Sequence, residues 1–117
     1  MLTKEVDIFN EKAVICERST TDHISLDLQS QEGKISMMMV YIVTVYDALK
    51  LNKTFLKREK YSISKLMKLP PNDIFRLAKE VIELEGGDST YVKFLLKEIT
   101  KEEYEDWVNQ KKKEIAE

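Results

Sequence analysis

The sequence predicts an α+β fold, mainly α, with an N-terminal β-hairpin followed by a compact bundle of about five helices. Three observations lead there. Val6–Phe9 and Ala13–Arg18 are rich in β-branched and apolar residues and flank the short polar connection Asn10-Glu11-Lys12. Ile35–Leu49, ISMMMVYIVTVYDAL, is the longest apolar run, and it sets Ile35, Met38, Met39, Ile42, Val43, Tyr46 and Leu49 at helical spacing. Ile74, Leu77, Ala78, Val81 and Leu84 repeat that spacing between Pro70-Pro71 and Gly86-Gly87, a start and a stop for one helix.

In chain order, Ser19–Asp22 is a helix start, because Ser19 or Thr20 can accept an orphan backbone N–H and Asp22 suits the positive helix end. The segment after it is assigned a short helix, since Ile24 and Leu28 form an i, i+4 pair. The alternation of Ile24, Leu26 and Leu28 leaves a strand as the competing assignment. Ser30–Gly33 breaks it. Ile35–Leu49 is assigned a helix because it is long for a strand and lacks internal Gly or Pro, although Val40, Ile42, Val43, Thr44 and Val45 are β-branched. Ser62 caps a short helix over Ile63–Lys68. Asp88-Ser89 caps another, with Tyr91, Phe94 and Leu95 on one side and Val92, Leu96 and Ile99 on the other. Thr100 and Glu103 have capping-box spacing and open a last helix in which Tyr104, Trp107 and Val108 can dock on the body. The expected organisation is one domain over 1–117: hairpin about 5–18, helical body about 20–109, and a charged, fraying tail at 110–117.

Composition narrows the function classes. At 43% hydrophobic and 34% charged residues, the chain has the make-up of a globular domain with a heavily solvated surface. A net charge of −2 provides no global field toward nucleic acid or anionic lipid. One cysteine, Cys16, precludes an internal disulfide, and the N-terminus lacks the apolar core of a signal peptide. The 35–49 run is shorter than a membrane span. A cytoplasmic protein without membrane association is expected.

His23 and Cys16, the only residues of their types, are too few for a zinc site. A Cys–His nucleophile pair is conceivable from their proximity in sequence, but a lone Cys in an apolar strand is more often a small hydrophobe. The carboxylates Glu80, Glu83 and Glu85, and Glu102, Glu103, Glu105 and Asp106, lie in charge-mixed surface stretches. Gly33, Gly86 and Gly87 form no phosphate-cradling loop. The expectation is a non-enzymatic protein with no catalytic, metal-binding or cofactor-binding residues.

Two binding functions remain. Residues 62–87 parse as helix, turn, helix, preceded by Lys53–Lys68, where six Lys or Arg face Glu59 alone and Phe55 and Tyr61 are interleaved. The exposed side of the would-be recognition helix is net acidic (Asp73, Arg76, Lys79, Glu80, Glu83, Glu85), so nucleic acid is the weaker partner. Protein binding is the stronger. The 35–49 helix carries more apolar surface than a small domain readily covers. Met37, Val40, Tyr41 and Val45, off the main stripe, are the candidate partner-binding residues, with Met37-Met38-Met39 suited to an adaptable groove.

The order of features resembles the small tail assembly chaperones of tailed bacteriophages. The resemblance rests on Glu17-Arg18-Ser19-Thr20-Thr21-Asp22 after a hairpin, and on Leu69-Pro70-Pro71-Asn72-Asp73 opening the helix Ile74-Phe75-Arg76-Leu77-Ala78. It spans most of residues 6–85. The first motif reads E-R-S-T where R-E-P-T is commoner, and it lacks the proline. The resemblance implies binding of the tape-measure protein, and of the tail tube protein as a further partner, in the host cytoplasm. An amphipathic helix captured in an apolar groove would be the physical mode, and homo-oligomerisation is left open. Members are often extended by a programmed frameshift, for which Lys111-Lys112-Lys113 would serve; a solvated lysine-rich tail is the simpler explanation of the run.

Overall fold

A computed structural model describes residues Met1–Ala116, in the order β1 (Thr3–Ile8), β2 (Glu11–Cys16), α1 (Thr20–Gln31), α2 (Met37–Ala48), α3 (Ile63–Leu66), α4 (Pro71–Leu84), α5 (Thr90–Leu95) and α6 (Lys101–Ala116). The α+β, mainly α architecture is as expected, with six helices rather than about five, two of them very short.

The hairpin is tighter than the sequence suggests. Phe9 and Asn10 alone connect the antiparallel strands, and Glu11 and Lys12, expected in the turn, pair with Ile8 and Asp7. Both turn residues have positive φ, 51° and 61°, as the favoured two-residue hairpin turns require. Asn10 tolerates this, whereas a left-handed backbone costs a residue such as Phe9 about 1–2 kcal/mol. Phe9 is held by stacking on Tyr61, ring centroids 6.3 Å apart and planes 12° apart, with the Lys65 ammonium 5.1 Å above its ring.

The two edges of the hairpin differ. Glu17 N–H donates to Leu2 C=O, so with this register Leu2, Lys4, Val6 and Ile8 bond to the opposite strand while Thr3, Glu5 and Asp7 turn their backbone groups outward. On the β2 edge, Asn52 stands in for a strand. Its Oδ1 accepts from Val14 N–H at 2.9 Å and its Nδ2 donates to Val14 C=O at 2.7 Å.

Both helix-or-strand ambiguities resolve as helix, and the reason is capping. Ser19 Oγ accepts from Asp22 N–H (3.1 Å) while Asp22 Oδ2 accepts from Ser19 N–H (3.4 Å), a reciprocal box that commits Ile24–Leu28 to α1. Ser36 Oγ caps α2 and Ser62 Oγ caps α3. α3 ends at Leu66, two residues short of expectation. Pro71 opens α4, and Gly86 follows it with φ 75°, the left-handed conformation that ends many helices. Before α5, Ser89 makes no side-chain cap; it donates to Glu83, and Asp88 Oδ1 accepts from Thr90 N–H instead. The Thr100–Glu103 box opens α6. Residues 110–116, expected to fray, continue α6, which meets no Gly or Pro and carries a Lys111–Glu114 ion pair; Glu117 lies outside the described residues.

One core joins Ile8, Ala13 and Ile15 of the hairpin to Ile42, Val45, Ala48 and Leu49, to Tyr61 and Leu66, and to Ile74, Leu77, Ala78 and Val81. α4 is its hub, packed against α2, α5 and both strands; α1 lies on α2, and α6 on α5. Among the described residues, no helix is long and apolar enough to cross a membrane.

Candidate partner-binding surface

α2 is buried from both of the faces that spacing separates. Ile42 and Leu49 enter the core from one, and Val45, with Thr44 and Ala48, from the other. Val45 is 0% exposed and is therefore a core residue, not a partner-binding one. The physical reason is α4, the main neighbour of α2, which draws in the side the sequence leaves unpartnered. Val40 is half-buried, and its carbonyl accepts the Thr44 hydroxyl at 2.8 Å.

Met37 and Tyr41 meet a set of aromatics from three other helices. The Tyr41 ring stands edge-on to Phe75 of α4, centroids 5.7 Å apart and planes at 89°. Met37, 50% exposed, accepts the Tyr91 hydroxyl of α5 at its Sδ, 3.2 Å away. Tyr91 lies 5.8 Å from Tyr104 of α6, which stacks on Phe94 at 4.3 Å and on Trp107 at 5.8 Å. Trp107 Nε1 donates to Asp88 at 2.9 Å, which fixes the end of the series. Burial pushes the Tyr41 hydroxyl pKa up, and the neighbouring Tyr91 and Tyr104 add to it. Every aromatic in this series is half-buried: each is packed on one side and open on the other.

Such a surface is physically suited to an apolar partner. Aromatic rings present large area with few rotatable bonds, and a thioether adapts its shape. From spacing, Tyr91 and Phe94 share one side of α5, and Tyr104 and Trp107 are expected to dock on the body. The i, i+3 aromatic pairs in α5 and in α6 were the available signal that the two helices share one face.

The motif residues 17–22 serve a different purpose. Arg18 donates through Nε and Nη2 to Glu85 at 3.0 and 2.8 Å, through its backbone N–H to Glu85 at 2.8 Å, and through Nη1 to Thr44 at 3.2 Å. Glu85, expected on the surface, has a side chain only 11% exposed, and that of Arg18 is 8% exposed. Burial pushes the Glu85 carboxyl up, but the Arg18 hydrogen bonds outweigh it and hold it below the usual carboxylate range. This fork is saturated by its own partners, so it joins the end of β2 to the end of α4 rather than receiving a ligand. Nearby, burial and then the Asp22 carboxylate push the Asp47 carboxyl up to about 6.

The remaining sequence candidates are dispersed. Cys16 is fully buried, which raises its thiol pKa, and His23 Nε2 lies 3.3 Å from Glu85. Tyr61, interleaved in the basic stretch as a candidate phosphate contact, is 2% exposed and donates to Glu11 at 2.7 Å, so it is closed to nucleic acid. Among the described residues, no group of three or more His, Cys, Asp or Glu is placed to hold a metal ion.

Comparison with protein-family models, with curated proteins and with solved structures yields no match.

Proposed function

We propose that this chain is a non-enzymatic protein-binding factor whose Met37–Tyr41 face receives the apolar stripe of a partner helix. One observation carries the proposal: four helices contribute half-exposed aromatic rings to a continuous series with an exposed methionine within it. Contiguous apolar surface of this kind marks interaction sites on small proteins, and helix-in-groove capture uses anchors of this chemistry. The resemblance to phage tail assembly chaperones supplies the partner class, the long helical tape-measure protein, with the tail tube protein a further partner. Such a factor would cover the partner's apolar helices until assembly buries them.

Co-expression tests this. The soluble yield of a tape-measure protein should rise with the wild-type chain and fall to the chaperone-free level with Met37→Glu. The free variant should melt like wild type, because exposed substitutions stay within about 0.5 kcal/mol. Tyr41 is the poorer target, since its ring is wedged on Phe75. No rise with the wild-type chain, or an equal rise with Met37→Glu, would refute the proposal.

The alternative, a small helix-turn-helix regulator of a phage or mobile element, has less in its favour. α3 and α4 follow each other as that motif requires, but α4 gives Ile74, Leu77, Ala78 and Val81 to the core. Its two basic side chains, Arg76 and Lys79, are outnumbered along the helix by Asp73, Glu80 and Glu83, and Lys79 is engaged by Glu98 at 2.8 Å. Retardation of duplex DNA at low salt, weakening steeply as salt rises, would revive it.

A further inference from the structure

The basic stretch between α2 and α3 is not a featureless loop. Lys60 N–H donates to Asn52 C=O, Thr54 N–H to Arg58 C=O, and Lys57 N–H to Thr54 C=O at 2.9 Å, which closes a miniature hairpin. Lys57 takes φ 62° to complete its turn. The base is anchored by Asn52 on Val14 and by Glu59, which accepts the Tyr46 hydroxyl at 2.6 Å. At the tip, held out by this framework, Phe55 is 93% exposed and Leu56 61%. Lys53, Lys57 and Arg58 surround them, all exposed. An ordered projection with an apolar tip and a basic collar is preorganised to insert into something, because its ordering cost is already met in the free fold.

A matching recess lies across the hairpin on the β1 side. A groove of about 540 Å³ runs between the hairpin turn and α4, with Ile8, Leu69 and Leu77 among its apolar walls, Asp7 and Asp73 among its acidic ones, and Arg76 as its one basic side chain. It adjoins a smaller recess of about 260 Å³ beside Glu5 and Glu80, with Lys4 and Arg76 also on its walls. Phe9, whose strained backbone the fold maintains, forms another wall. Asp7 and Asp73 are paired only with Lys12 and Arg76 in exposed ion pairs, which exchange readily for other cations.

We infer that the Phe55–Leu56 tip of one copy seats in the hairpin–α4 groove of a second copy, with Lys53, Lys57 and Arg58 facing Asp7, Asp73 and Glu5. Apolar tip meets apolar wall, and the basic collar meets a rim on which Asp7, Asp73, Glu5 and Glu80 outnumber Arg76 and Lys4; one chain carries both halves at opposite edges of its hairpin. The surfaces are unlike, so the contact is heterologous, closing into rings or growing into chains. A two-residue tip makes a small contact, so association is weak and concentration-dependent. None of these residues belongs to the Met37 face, so this proposal and the functional one stand or fall separately.

Sedimentation velocity across concentrations up to about 1 mM, in the millimolar range of weak complexes, tests it. Wild type should shift from monomer to larger species, and 0.5 M NaCl should reverse the shift. Phe55→Ser, which removes the tip, and Asp7→Lys, which reverses the rim at an exposed position, should each remain monomeric. An equimolar mixture should form a dimer and nothing larger, because one variant retains a groove and the other a tip. A wild type that stays monomeric throughout overturns the proposal, and so does binding of that monomer to phosphatidylserine vesicles through Phe55. Self-association that survives Phe55→Ser and Asp7→Lys also overturns it.

Discussion

Substituting Glu85 by Gln should be among the most destabilising single changes outside the apolar core. The substitution keeps the shape and removes the charge. Arg18 is then left as an uncompensated guanidinium, its side chain 8% exposed, that still bonds Thr44 but has lost its carboxylate fork. Breaking a buried pair from one side costs about 3–5 kcal/mol, and Gln retains an acceptor, so about 3 kcal/mol is expected. That is a large fraction of the stability of a domain this size and corresponds to a melting temperature lower by about 12 °C. The pH dependence gives a second check. The folded-state pKa of Glu85 lies below its unfolded value, so its contribution is fully present above the unfolded value and disappears as pH falls through the folded one. Urea melts of both proteins should therefore differ most near neutral pH and converge under acid conditions. Replacing both partners, as in Arg18→Met with Glu85→Leu, should recover much of the loss, because no charge is left stranded. A loss below about 1 kcal/mol that does not vary with pH would refute this account of the clamp.

Two further substitutions test other parts of the structure. Val45→Ala should cost about 2 kcal/mol in urea melts, two buried methyl groups plus the space they leave; a neutral result would return Val45 to the surface. Asp47→Asn should stabilise the protein at pH 7. Its folded-state pKa, pushed up to about 6, lies above the unfolded value, so ionising Asp47 disfavours the fold as pH rises through that range. Because the group keeps partial contact with solvent, the gain should be about 1 kcal/mol, a few degrees in melting temperature, and absent at pH 4.

Much of the fold was legible in the sequence because its signals are local. Ser19 with Asp22, Ser62, and Thr100 with Glu103 each mark a helix start through hydrogen bonds within three residues. The α4 stripe names its own buried face. What was not legible depends on contacts between residues distant in sequence. Nothing near Glu85 announces Arg18, and nothing near Asn52 announces that it completes the β2 edge at Val14. The turn falls at Phe9-Asn10 instead of Asn10-Glu11-Lys12; Phe is a poor left-handed residue, and the stack on Tyr61 explains its place there. The α2 faces were separated by spacing, but a helix apolar nearly all round does not reveal which neighbour covers which side. Thus Met37 and Tyr41 belong to the aromatic surface, while Val45 belongs to the core.

Trp107 makes the central claim directly measurable. It is the only tryptophan, half-buried, at the α6 end of the aromatic series, so its emission reports whether that face is covered. Titration with a helical segment of a tape-measure protein should shift Trp107 emission to the blue and saturate, and Met37→Glu should abolish the shift while the free protein keeps its wild-type spectrum. No shift with wild type, or an equal shift with Met37→Glu, would contradict the assignment of this face as the partner-binding surface.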